Sequence, residues 1–500
     1  MRVYLSIILF FPMILSAQFN VAPYFSNNMI LQRDQPIHIW GKADPGIQIS
    51  VTFLLQNKKT VALADSSWDI YLKPEGVVKE ASKLIVESND VKKVYENVLV
   101  GDVWLCIGQS NMQFMMQQEM HYKKELMNAK QPLLRFYNPT YIGQDVYNQK
   151  YTEAMLARLN KEDFFSKTKW SQSDSSSISN ITAVGYYFGK TILDQTSIPI
   201  GLVNLSIGGA PIETFISENV LKNDTRTANK IKGNWLYNEA IPAWVRIRGQ
   251  QNVADVANAP IDEYGPDHCF KPGFAFNAGI KPLTKYPIKG ILWYQGESNA
   301  QEIESVNEYD ALITLMVNDY RRQWAQTNLP FYFAQLSSID TLNYKSQLWP
   351  NFRDNQRRFE QNMPYSGMAV TSDIGLKNDV HPKNKKLVGE RLALIALHKN
   401  YLKNIIASGP LPIKANFINH KIRIKFNYAK SGLKTTGANS VNGFSIDGVD
   451  AVEASIHKNK IIIKTNTKPQ FVYYGWQPYS TGNLINKQLL PASTFKIAVR

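Results

Sequence analysis

Ser110 lies in Gly108-Gln109-Ser110-Asn111-Met112, directly after the apolar run from Val98 to Ile107. A serine at the start of a helix that follows a buried strand stands beside free backbone N–H groups, which favour a developing anion. The commoner use of serine at such a junction is to cap the helix. The position therefore acquires chemical meaning only with a base in reach. Of the seven histidines, His381 is the candidate, in Asn378-Asp379-Val380-His381-Pro382 just ahead of a helical pattern carried by Val388, Leu392 and Ile395. Asp379 is the nearest carboxylate that could orient the His381 Nδ1–H, as the acid of a Ser-His-Asp triad does; helix capping is an equal alternative for it. A third stretch, Gln295-Gly296-Glu297-Ser298-Asn299, ends another apolar run. A Gln amide there can donate to an oxyanion, and Glu297 offers a second carboxylate, either behind the site or as an alternative partner for His381. Gly209 can donate through its backbone N–H, since a glycine lets the main chain approach a ligand closely. The chemistry these residues suit is attack of a hydroxyl on an acyl carbon. The nucleophile motif lacks the second glycine of a Gly-x-Ser-x-Gly elbow, which argues against an α/β-hydrolase. No His-x-x-x-His or clustered Cys/His pattern is present, so no metal or other cofactor is expected.

The elements that must position these residues are short apolar strands alternating with helices. Val98–Ile107, Ile200–Ile207, Ile288–Tyr294, Phe331–Leu336 and Met368–Thr371 read as strands; Ala183–Leu193 and Tyr309–Trp324 carry helical spacing. Such alternation implies parallel pairing in a doubly wound α/β sheet, whose site lies beyond the carboxyl ends of its strands. Ser110, Gly209 and Gln295 all fall at that edge. The flanks differ. Residues 18–98 read as β-structure, with Ile37–Trp40 leading into a turn at Asp44-Pro45-Gly46. Residues 403–500 do too: Lys421–Phe426 alternates strictly, and Lys460–Lys464 and Gln470–Tyr474 are further strands. His38, His420 and His457 fall in these flanks and read as bystanders. The expected division is a leader over 1–17, an N-terminal β unit over 18–98, a catalytic α/β unit over 99–402 with an insertion at about 215–275, and a C-terminal β unit over 403–500.

Four blocks together resemble an SGNH-type hydrolase, and specifically its sialate O-acetylesterase branch. They are Gly108–Met112, Ser206–Glu213 (Ser-Ile-Gly-Gly-Ala-Pro-Ile-Glu), Trp293–Ala300 and Asp379–Pro382. Asn28–Arg33, Trp349–Asp354 and Tyr474–Pro478 extend the likeness over nearly the whole chain after the leader. The resemblance implies a flavodoxin-like three-layer sheet and a serine esterase that removes O-acetyl groups from sugars through an acetyl-enzyme. It implies Ser110 and His381 as the catalytic pair and Gly209 and Gln295 as the oxyanion hole. One departure concerns the acid: many SGNH enzymes place it three residues before the histidine, where this chain has Asn378. A sialate substrate carries a carboxylate, which a planar guanidinium grips at two points. Arg353 is the expected clamp, in the segment after the Phe331–Leu336 strand, with Arg246 and Arg248 in the insertion as alternatives; pairing of Arg353 with Asp354 or Glu360 is the purely structural reading. Acetylated xylan is the runner-up substrate. The terminal β units also fit a non-catalytic glycan-binding protein.

Composition is consistent with that reading. The chain has 56 Lys+Arg against 41 Asp+Glu, net +15, with basic residues dispersed apart from a loose cluster at Lys383, Lys385 and Lys386. Nucleic-acid binding wants a denser basic stripe, so no nucleic-acid partner is expected. Arg2, the apolar run Tyr4–Leu15 and Ser16-Ala17 form a leader with a small-residue cleavage site, which places the protein in the periplasm or outside the cell. No other run is apolar enough to span a bilayer. Cys106 and Cys269 are the only two cysteines, too few for a disulfide framework, though they could pair after export.

Overall fold

A computed structural model describes residues 19–89, 91–254 and 260–500; the leader lies outside them. The central sheet contains β1 (Val91–Gly108), β2 (Gln131–Tyr137), β3 (Ile200–Asn204), β4 (Gly290–Tyr294), β5 (Phe331–Ala334) and β6 (Ser366–Ala369). They lie in the order β2-β3-β1-β4-β5-β6, every neighbouring pair parallel, and Ser171–Ser173 adds an antiparallel edge to β2. β3 to β6 are buried along their whole length, so they read as continuous apolar runs rather than alternating ones. The winding direction reverses between β1 and β4. A crevice opens at such a reversal, and Ser110 and Gln295 follow its two strands.

The long helices are α1 (Ala183–Thr196), α2 (Ala243–Val253), α3 (Ile303–Gln323), α4 (Trp349–Asn362) and α5 (Lys386–Lys399). Thr182 starts α1 by accepting the Gly185 N–H on its hydroxyl at 3.2 Å. α1 and α5 pack against each other at Gly389, where a Cβ would meet the Val184 carbonyl at 2.6 Å. The helix expected over Tyr309–Trp324 begins six residues earlier, at Ile303. Its added six residues, Ile303–Glu308, contain only two apolar side chains, Ile303 and Val306.

The expected junction at 98/99 falls inside β1. The first half of this 18-residue strand pairs antiparallel with Val78–Ser88, and its second half is the middle of the parallel sheet. A single hydrophobic core accordingly runs from Ala22 to Leu411, and a second comprises Ala415–Val499. The Asn28–Arg33 block holds the N-terminal strands on. Ile30–Gln32 pairs with Leu99–Gly101, and Arg33 donates to fully buried Asp102 at 2.9 Å, which also accepts from Tyr401 at 2.8 Å. In the C-terminal unit, Leu411–Ile418, Lys421–Asn427, Lys460–Lys464 and Ala454–His457 form an antiparallel sheet. Lys421–Asn427 alternates exposed and buried residues as its sequence requires. Cys106 and Cys269 are both buried and free, so the bridge is not made. Among the described residues no helix is long and apolar enough to cross a membrane.

Candidate active site

β1 ends in a turn that only glycine can make here. Gly108 has φ +136°, and a Cβ on it would lie 2.2 Å from the Tyr294 carbonyl of β4. The turn delivers Ser110 to the first position of a helix of only four residues, Ser110–Gln113, with Gln109 as N-cap. One turn of helix has little macrodipole, so individual N–H groups rather than the dipole must serve an anion. Ser110 makes no cap. Its Oγ lies 2.9 Å from the His381 Nε2. The Ser110 N–H has no hydrogen-bond partner among the described residues, nor has that of Gly209. Gly209, at φ +71°, also lines the cavity, and a Cβ on it would press on Phe270 at 3.0 Å.

His381 sits between β6 and α5, on a loop held at both ends. Upstream, Arg391 of α5 grips Asp373 with two nitrogens at 2.6 and 2.7 Å. Next to the histidine, Asn111 donates to the Val380 carbonyl at 3.0 Å and Lys385 to the Pro382 carbonyl at 2.7 Å. Asp379 accepts the His381 backbone N–H at 2.8 Å, while its carboxylate stays 3.9 Å from Nδ1, beyond hydrogen-bond reach. Asp379 is thus a loop-capping residue with a charge near the ring. Burial and then the Lys385 ammonium lower the His381 pKa below its usual 6.5, and Asp379 acts in the opposite sense.

A buried polar bridge lies behind this pair. The Asn111 carboxamide donates to Glu297 and accepts from the Lys385 Nζ, and all three side chains are buried. Burial raises the Glu297 pKa and lowers that of Lys385 to about 7. One asparagine thereby ties together the nucleophile turn, the turn after β4 and the histidine loop. Above the pair opens a cavity of about 570 Å³ walled by Tyr147, Trp244, Phe270 and Tyr344, with Arg248 on its rim of α2. The size and the aromatic lining suit a small organic ligand.

Several known proteins are similar. A family described as "Carbohydrate esterase, sialic acid-specific acetylesterase" matches residues 276–398, from the segment before β4 to the end of α5. The sialate O-acetylesterase of Mus musculus is 29% identical over 431 residues, covering 80% of this chain and 77% of its own. That of Homo sapiens is 28% identical over 444 residues, covering 82% and 76%. The crystal structure of a carbohydrate acetylesterase from Xanthomonas citri superposes with TM-score 0.77 at 27% identity, covering 96% of this chain and 99% of that one. The chain is similar to sialate O-acetylesterases over about four fifths of its length. It is an ester hydrolase of mixed α/β fold with additional β units.

Within this esterase the structure corrects two expected roles. Gln295 is fully buried and its amide is fully used: Nε2 donates to Asn299 at 2.7 Å and to the Ala210 carbonyl at 3.3 Å, while Oε1 accepts from Tyr309 at 2.9 Å. It therefore has no free donor for an oxyanion. Asn299 passes the connection on to Glu213 at 3.0 Å, and buried Lys230 meets Glu213 at 3.2 Å, which anchors the insertion to the site. Gln109 has the free amide instead. Its Oε1 is held by the N–H groups of Ser298 and Gly296 at 3.1 and 3.3 Å, its Nε2 has no partner among the described residues, and it lines the cavity. The second correction is Arg353. It lies in α4, fully buried, donating to the Gly475, Gln477 and Pro478 carbonyls and to the Thr494 hydroxyl, at 2.5–3.0 Å. It clamps the C-terminal unit and never reaches the cavity; its partners are neither Asp354 nor Glu360. Trp349–Asp354 and Tyr474–Pro478 therefore matter as the two halves of one joint. Glu297 touches Asn111, not the His381 ring. Lys385 does not belong to a surface cluster with Lys383 and Lys386, because it is buried. Sequence pattern overlooked Gln109 and Lys385; the only signal was a polar residue placed inside the Gly108–Met112 block, or three residues after the Asp379–Pro382 block.

Proposed function

We propose that this esterase removes O-acetyl groups from sialic acids through an acetyl-enzyme. The observation that carries the reading is the 2.9 Å contact between Ser110 Oγ and His381 Nε2 at the mouth of an aromatic cavity. His381 takes the Ser110 proton as the oxygen attacks the acetyl carbonyl. The Ser110 and Gly209 N–H groups, with the Gln109 amide, receive the oxyanion. His381 then protonates the departing sugar oxygen, and water hydrolyses the acetyl-enzyme by the same steps. Asp379 holds the loop and favours the imidazolium by charge alone. The strand order β3-β1-β4-β5-β6 supports a flavodoxin-like, three-layer SGNH arrangement. The leader supports export to the periplasm or beyond.

The test is acetate release from an O-acetylated sialic acid and from acetylated xylan in parallel, with Ser110→Ala as control. Release from the sialic acid, lost in Ser110→Ala by on the order of 10⁶-fold in kcat, is the expected result. Release from xylan alone would transfer the assignment to a plant polysaccharide. Near-wild-type turnover by Ser110→Ala would remove the mechanism.

A further inference from the structure

With Arg353 committed to the C-terminal joint, the guanidinium at the active cavity is that of Arg248. It stands four residues after Trp244 in α2, one helical turn apart on one face, and both line the cavity that holds Ser110 and His381. The Arg248 fork is only partly used. Nη2 donates to the Asn148 side chain at 3.0 Å, while Nε is buried with no hydrogen-bond partner. The guanidinium carbon lies 5.2 Å from the centroid of the Tyr147 ring, which fixes the plane of the group without neutralising it. Among the described residues Arg248 pairs with no carboxylate. The carboxylate that does line the cavity, Glu297, is engaged by Asn111 and faces the Lys385 ammonium. Nη1 has no hydrogen-bond partner among the described residues and, unlike Nε, is not enclosed, so a ligand carboxylate in the cavity can accept from Nη1 and from the second N–H of Nη2 at once.

We propose that Arg248 binds the carboxylate of an acidic sugar whose acetyl ester is presented to Ser110, and so sets the preference for sialic acid over neutral sugars. The sugar ring lies against the aromatic wall formed by Trp244 and Tyr344, and the acid group is turned toward the insertion. The inference rests on the sialate reading and goes beyond it by naming the discriminating residue.

The experiment compares acetate release from an O-acetylated sialic acid and from its C1 methyl ester, which is the same sugar without the charge. A third substrate is the neutral ester p-nitrophenyl acetate. Wild-type kcat/KM is expected to favour the free acid over the methyl ester by roughly 10- to 150-fold, the range for a hydrogen bond to a charged group. Arg248→Gln should bring that ratio close to one, chiefly through KM for the acid. Arg248→Lys, which keeps the charge without the fork, should fall between, and it carries the same comparison should the glutamine variant fold poorly. Equal losses on acid and methyl ester overturn the inference and leave the sialate reading standing. A wild-type enzyme that cleaves p-nitrophenyl acetate but neither sialate overturns the substrate reading and this inference with it.

Discussion

Replacing Asn111 by alanine tests whether the buried bridge positions the catalytic pair. The Asn111 carboxamide is wholly enclosed and makes three contacts, with the Glu297 carboxylate, the Lys385 ammonium and the Val380 carbonyl. Two of these involve charged groups, at roughly 1.5–3 kcal/mol each, and the third is neutral, at roughly 0.5–1.5 kcal/mol. The total comes to about 3.5–7.5 kcal/mol. Glu297 and Lys385 can both relax toward their neutral forms, since burial already pushes their pKa values that way, so the lower end of the range is expected. Functionally the loss falls on His381, whose neighbours Val380 and Pro382 are the groups the bridge holds. A displacement of about 1 Å in such a base costs on the order of 10²-fold. Asn111→Ala should therefore lower both thermal stability and kcat on p-nitrophenyl acetate, with KM little changed. The double variant Asn111→Asp with Glu297→Gln reverses donor and acceptor across the same contact and keeps an acceptor for Lys385. It should recover at least about tenfold in kcat over Asn111→Asp alone, which sets two carboxylates face to face. If Asn111→Ala kept kcat within about threefold, or if the swap recovered nothing, the bridge would have no part in positioning the histidine.

Three further outcomes are expected. Gln109→Leu should lower kcat by roughly 10²–10³-fold, the loss typical of one oxyanion donor, whereas a variant close to wild type would return the hole to backbone groups alone. The acid limb of kcat/KM should lie below pH 6.5, because the neutral form of His381 is the base and its folded pKa is lowered. Lys385→Met, which removes a nearby positive charge, should move that limb upward; no movement would show that Lys385 does not act on the ring. Arg353→Met should destabilise the protein by about 3–5 kcal/mol, as expected when four buried carbonyl and hydroxyl acceptors lose a charged donor. It should leave the ratio of acid to neutral substrates untouched, and a selective loss on the acid would return Arg353 to the substrate.

Sequence by itself marked most strands of the parallel sheet and the serine and histidine that the fold brings to 2.9 Å. Buried parallel strands must be runs of apolar residues, so β3, β4, β5 and β6 stood out within a few residues of their ends, and so did the buried second half of β1, whose exposed first half begins seven residues before the expected start. A turn that leaves no room for a Cβ must be glycine, which marked Gly108 and Gly209. Ser110 and His381 stood at strand–helix junctions, and every such junction on one side of a parallel sheet opens onto the same crevice. What sequence could not determine was where long side chains end. Arg353 and Arg248 are alike in type and both follow an aromatic residue within a turn of helix. Yet α4 packs against the C-terminal unit and takes the first into a nest of carbonyls, while the insertion folds α2 over the cavity and leaves the second facing it. The two glutamines divided in the same way. Gln295 found three partners in the core, whereas Gln109, one residue before the nucleophile, has its oxygen held by a neighbouring turn and its amide left free. The groups that hold the Gln109 oxygen lie 187 and 189 residues away, and the carbonyls that hold Arg353 lie 122 to 125 away. That is a property of packing, which local pattern does not encode.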